Sequence, residues 1–242
     1  MGEAWTGVQG ALRAIIRWVR LDSAWYAVCH AGIMESILMN REPSIVDGLW
    51  DATQRTLAVI ALFVALPALL VIAIAIKTTS RGPVVFRQER PGRHDQMFTA
   101  LKFRTMFTGS ERTTRLGVSS GDPRITPVGR VLRATKLDEL PQLVNIARGH
   151  MAFVGPRPIP KALDTELRQH IQGFESRYEV RPGLTSLAQV CVSDNGLDDR
   201  LIADWTIRFE AERRYMRNRS AAYDILVLGL TAAYVIRKAV KR

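Results

Sequence analysis

Residues 57–76 read LAVIALFVALPALLVIAIAI, twenty residues without one polar side chain. No other feature restricts the fold of this chain so strongly. As a helix the stretch would be about 30 Å long, which matches the hydrocarbon thickness of a bilayer. Thirteen of its residues are Leu, Ile, Phe or Val. At roughly −0.3 to −0.6 kcal/mol each, they favour insertion by about 4 to 8 kcal/mol. Pro67 opposes it by roughly 3 kcal/mol. Insertion wins, so the segment is expected in the membrane. A core helix of this length would show a polar face, and a cleaved signal peptide would lie nearer Met1.

Pro67 has no N–H and its ring crowds the preceding turn, so a break in the membrane helix is expected there. Arg55 precedes the run, and Lys77 and Arg81 follow it. Cations on both flanks set no positive-inside asymmetry. On these residues alone, a straight span and a bent helix with both ends on one face stay open.

The formal net charge is +11 over 242 residues. Such a balance favours anionic partners: nucleic acid, anionic lipid or phosphorylated substrates. The chain has no stacking-aromatic or groove-helix motif, and an inserted helix argues against nucleic acid, so no nucleic-acid partner is expected. Cys29 and Cys191 form neither a CxxC pair nor a disulfide framework and are read as reduced thiols. The histidines show no metal-ligand spacing.

Four regions follow: an N-terminal amphipathic extension, 1–54; the membrane helix, 55–80; a folded domain, 81–220; and a C-terminal segment, 221–242. In the first, GALRAIIRWVRL (Gly10 to Leu21) spaces Leu12, Ile15, Ile16 and Val19 at helical intervals among arginines. It reads either as an interfacial helix or as a packing helix. Gly82 to Met106 holds two β-like runs around the turn-rich ERPGRHDQ. Helical stretches follow from Asp138 and over PKALDTELRQHIQGFESRYEV. RPGLT reads as a type II turn with Pro182 and Gly183 at its centre. Ala221 to Arg242 is too short and too charged to span, and is expected as an interfacial helix. The fold class is α/β, mostly helical with a small β-hairpin.

The chemistry centres on TKLDELPQLVN, where Asp138 and Glu139 adjoin. From Arg81 to Lys136, 12 Lys or Arg face only 4 Asp or Glu, so the acids end a cationic segment. A first helical turn favours acids, and capping alone would account for the pair. FVGPRPIP places Arg157 between two prolines, a rigid setting for bidentate phosphate contact. Lys102, Arg104, Arg133, Arg177 and Arg181 are the further candidate phosphate ligands. Cations of this kind should keep Asp138 ionised, as nucleophile toward phosphorus or, with Glu139, as a ligand for Mg²⁺.

GPVVFRQERPG, KFRTM, GRVLRATKLDELPQLVN, GHMAFVGPRP, RPGLTSLAQV and RYMRNRSAAYDILVLGLT occur in that order. With them the chain from about Arg55 onward resembles the bacterial sugar transferase family, the monotopic polyprenol-phosphate phosphoglycosyl transferases. The resemblance implies transfer of a sugar 1-phosphate from a UDP-sugar to undecaprenyl phosphate, with release of UMP. It implies Asp138 as covalent nucleophile, Glu139 as its partner with Mg²⁺, and Arg157 and Arg133 as matching arginines. It also implies a bent, re-entrant membrane helix with both ends on the cytoplasmic face of the bacterial inner membrane. Partners would then include inner-membrane lipids and downstream glycosyltransferases of exopolysaccharide, capsule, O-antigen or glycoprotein glycan assembly.

The chain departs from the family pattern in places. Leu66 stands where Ser often precedes the bending proline, and Ser186–Leu187 replace Gly-Trp. Cys191, Val192 and Ser193 replace Asn-Gly-Arg, and Glu212 replaces Asp. These departures motivate an alternative, a non-catalytic membrane-anchored scaffold.

Overall fold

The computed structural model describes residues 45–110, 122–191 and 201–240. The amphipathic stretch Gly10 to Leu21, Val192 and Ser193 lie outside the described residues. The described part is mostly helical with two small sheets.

One helix, α1 (Ile45–Thr79), carries the whole apolar run and begins ten residues before Arg55. Its helical backbone continues through Pro67. It is long and apolar enough to cross a membrane, and only 11% of its most apolar window is buried. Phe63, Val64 and Val71 are among its strongly exposed residues. A second stripe faces the folded domain. Ala58, with Ala61 and Leu62 beside it, packs on Phe98, Ala100, Leu143, Ile146 and Met151. Ile72 and Ile76, with Leu69, pack on Phe103 and Leu132. The spacing of 58, 61, 62, 69, 72 and 76 is that of one helix face. From Ala58 to Ile76 this contact runs about 27 Å, nearly the thickness of a hydrocarbon core. Both ends of the apolar run therefore rest on the same body.

The two β-like runs form the expected hairpin. β1 (Val85–Pro91) pairs antiparallel with β2 (Met97–Phe103), with Arg90 opposite Phe98 and Phe86 opposite Lys102. His94 and Asp95 both take positive φ at the tip, a conformation whose twist suits a hairpin turn. α2 (Pro127–Thr135) starts at Thr126, whose side chain accepts from the Gly129 N–H at 2.9 Å, with Pro127 in the first turn. Lys136 then turns left-handed, at φ 61°, and a single 3₁₀ turn, Leu137–Glu139, carries the acid pair. α3 (Gln142–Ala147) follows, so the acids sit in a tight turn just before a helix rather than in its first turn.

β3 (Ala152–Val154) and β4 (Gly183–Thr185) pair in parallel. RPGLT is thus a strand entry and not a type II turn. A type II turn needs positive φ at its glycine, and Gly183 is not among the positive-φ residues. Its glycine is required for proximity: a Cβ on Gly183 would lie 2.1 Å from the Gly155 nitrogen, and one on Gly155 2.4 Å from the Arg181 carbonyl. Between these strands lie α4 (Lys161–His170) and a 3₁₀ segment, Phe174–Glu179. α5 (Leu187–Cys191), α6 (Leu201–Arg217) and α7 (Ala221–Val240) complete the described chain. The C-terminal segment is helical as expected, and it contributes Tyr223 and Val227 to a core with Val154, Leu187 and Tyr215.

Candidate active site

The acid pair is positioned by three elements at once. The Asn145 side chain on α3 accepts from the Leu101 N–H at 3.0 Å and donates to the Thr99 carbonyl at 2.7 Å. It thereby completes the edge of β2 like a short extra strand and fixes the turn against the hairpin. Lys102 on β2 then reaches Glu139 Oε1 at 2.9 Å. From the loop after β3, the Arg157 guanidinium reaches the same oxygen at 2.8 Å. Arg133 on α2 donates to the Thr105 hydroxyl at 2.9 Å, and its charge acts on Asp138.

Arg157 is itself held on both sides of its backbone. Its N–H donates to Glu212 Oε1 at 3.0 Å, and its carbonyl accepts from Arg177 Nη2 at 2.7 Å. Glu212 and Arg177 pair with each other at 3.0 Å, and both side chains are 1% exposed. The Arg177 guanidinium lies 4.7 Å from the Phe174 ring centre. Two prolines, one buried ion pair and one strand end thus orient a single guanidinium.

The adjacent acids differ sharply. Burial raises the Glu139 carboxyl, but Arg157 and Lys102 together hold it well below the usual carboxylate range. Asp138 goes the other way. Burial raises it, and the cations Lys102, Lys136 and Arg133 only partly offset that. The expectation that cations leave Asp138 lowered on balance is therefore corrected, because burial outweighs them: Glu139 takes the direct contacts, and Asp138 Oδ1 is buried without a hydrogen bond. Lys102 is lowered to about 8, mainly by burial, with Glu139 acting against it.

The expected phosphate ligands divide. Lys102, Arg133 and Arg157 gather around the acid pair. Arg104 instead donates to the Ser80 carbonyl at 2.8 Å and also bonds the Arg81 carbonyl, closing the C-terminal end of α1. Arg177 is sealed against Glu212. Arg181 pairs with Asp51 of α1 at 2.9 Å, beside Arg219 at 2.8 Å from the same acid. Each of these three has a structural partner that no charge pattern identifies. Conversely, Arg90 was not expected. It is 8% exposed, bonds Gln88 Oε1 at 2.8 Å, and its charge acts on Lys102. Burial, then Arg157, lower it to about 10. Strand alternation held the signal: Phe86, Gln88 and Arg90 share the inward face of β1.

Several departures from the family pattern serve packing. Leu187 is 3% exposed in the core, and the Ser186 hydroxyl accepts from the Gln189 N–H at 3.1 Å to start α5. Leu66 is exposed on α1.

Residues 48–238 match the family described as bacterial sugar transferase. The chain belongs to that family. This family member is 47% identical over 144 residues to the UDP-glucose:undecaprenyl-phosphate glucose-1-phosphate transferase of Caulobacter vibrioides, covering 58% of the chain and 54% of that protein. It is 38% identical over 180 residues to the Escherichia coli K12 protein of the same name, covering 74% of the chain and 38% of that protein. The chain thus spans about half or less of the length of these two relatives. The uncharacterized sugar transferase EpsL of Bacillus subtilis is 36% identical over 193 residues, 79% of this chain and 88% of that protein.

Proposed function

We propose that this family member transfers a sugar 1-phosphate from a UDP-sugar to undecaprenyl phosphate through a covalent intermediate on Asp138. The observation that carries the reading is the unshared, buried Oδ1 of Asp138, next to a Glu139 that absorbs the nearest cations. A carboxylate freed from ion pairing is more basic and a better nucleophile.

In the first step an Asp138 oxygen forms a bond to the β-phosphorus, and the bond to the bridging oxygen breaks. UMP leaves with that oxygen. In the second, a phosphate oxygen of the lipid bonds to the same phosphorus and the Asp138 carboxylate departs. Arg157, fixed through Glu212 and Arg177, and Lys102 stabilise charge on the transferred phosphoryl oxygens. Arg133 and Arg90 add positive potential.

Among the described residues no three His, Cys, Asp or Glu side chains gather. Asp138, whose Oδ1 is buried without a partner, and Glu139 would hold Mg²⁺ only as a pair completed by substrate phosphates, which is the usual habit of that ion. When bound, the ion would neutralise diphosphate charge.

Both ends of the α1 apolar run pack on one body, which supports a re-entrant, monotopic insertion over a span with the domain on one end. The same reading puts the domain at the cytoplasmic face of the inner membrane. The packing role of Leu187 and the helix-starting role of Ser186 support the catalytic reading over the scaffold alternative.

Incubating membranes with labelled UDP-sugar and no lipid acceptor should label the protein, and Asp138→Asn should abolish the label. Full turnover by the Asn variant would overturn the covalent route.

A further inference from the structure

Beside the acid pair lies a cavity of about 230 Å³ whose lining joins charged and apolar side chains. Lys136, Glu139 and Arg157 supply the charge. The walls are mostly Leu140, Phe153, Leu184, Val190, Leu228 and Val235, with Gln189 and Tyr234 among them. Thr185 and Thr231 also line it, but their hydroxyls bond each other at 2.8 Å. The Thr231 hydroxyl also bonds the Val227 carbonyl at 2.7 Å. Both hydroxyls therefore already have partners within the wall. A sugar ring would leave several hydroxyls unmatched here, which is costly in a site of this polarity. Val235 lines the cavity and is 39% exposed, so the apolar wall continues onto the outer face of α7.

We infer that this cavity receives the first isoprene units of the lipid acceptor, with its phosphate at the Arg157 end and its chain leaving past Val235 toward the bilayer. The inference rests on the proposed function for the identity of the amphiphile. The geometry asks only for an anionic head joined directly to an apolar chain. Leu228, Thr231 and Val235 recur at i, i+3 and i+7, so one face of α7 forms the floor. That gives the helix a substrate-ordering role in addition to its place in the core. One buried atom without a partner suits a different occupant. Gln189 Oε1 is buried without a partner and could accept from the imide N–H of a uracil ring.

The test uses the full chain in lipid nanodiscs and a farnesyl monophosphate carrying a diazirine in its first isoprene unit. After photolysis, adducts should map to 228–235 or to Phe153. Undecaprenyl phosphate should compete and UMP should not. Leu228→Trp fills the cavity, and Val235→Trp blocks its exposed exit at a position that tolerates bulk. Each should cut adduct yield by about tenfold. Turnover should show the same split, with the acceptor KM raised and the donor KM unchanged. Adducts confined to the exposed face of α1 would overturn the inference. So would competition by UMP, or a Val235→Trp variant that folds and labels like the parent. Specific labelling of 228–235 in a chain that releases no UMP from any donor would uphold the cavity and defeat the proposed reaction instead.

Discussion

Asp138 and Glu139 are neighbours in sequence, yet they meet different surroundings. Glu139 Oε1 receives both Lys102 and Arg157, whereas Asp138 Oδ1 receives no hydrogen bond. Replacing Glu139 by Gln should leave the two cations without their shared anion and misdirect Arg157. A fall in kcat/KM of about 10² to 10³ is expected, as for loss of one oriented charge contact, and steady-state UMP release measures it. Glu212 acts one step further back. Glu212→Gln leaves Arg177 buried without its counter-charge, which should cost about 3–5 kcal/mol. Thermal unfolding in detergent reads this directly. Pairing Glu212→Met with Arg177→Met should cost less than the sum of the single changes, because neither residue is then left charged and alone. The residue types at this site were legible in the sequence: adjacent acids after a basic stretch, and an arginine between prolines. The direction of the Asp138 shift was not, because it depends on burial and on which acid wins the nearby cations.

At the scale of elements, periodicity served well where it was local. The β-hairpin followed from two alternating runs and a turn-rich centre, and α1 from its unbroken apolar stretch. RPGLT misled because proline followed by glycine signals both a turn and a close approach of two backbones. Only the partner strand decides between them. Gly183→Ala should therefore destabilise by about 3 kcal/mol through overpacking against Gly155, where relief of a flexible turn would have stabilised. The cations Arg104, Arg177 and Arg181 were illegible for a related reason. A guanidinium in a basic stretch gives no sign of whether its partner is a phosphate, a helix end or a distant acid. α2 offers a milder test. Thr126→Ala removes its N-terminal cap, worth about 1 kcal/mol, and loosens the helix that delivers Arg133. A lowered Tm with a larger loss of turnover than of stability is the expected outcome.

Across the whole molecule, α1 decides how the protein meets the bilayer. Thr53 and Thr78 flank the apolar run and are both exposed. With Cys29 and Cys191 first changed to Ser, a cysteine at either position should react with a membrane-impermeant maleimide from the same side of sealed inverted vesicles. Labelling from opposite sides would require a full span and would separate the domain from one end of its own helix. The polar contacts at the start of α1 carry a practical consequence. The Trp50 indole donates to Asp224 at 2.8 Å, and Gln54 accepts from the backbone of β3 at 2.8 Å, one strand length from Arg157. Cutting the chain after residue 80 to obtain a detergent-free enzyme would strip that strand of its partner and lay bare the greasy underside that Ala58 to Ile76 now covers. The anchor doubles as a wall of the catalytic unit, so a water-soluble form would have to be sought by repainting the outward face of α1 with polar side chains, leaving the helix in place.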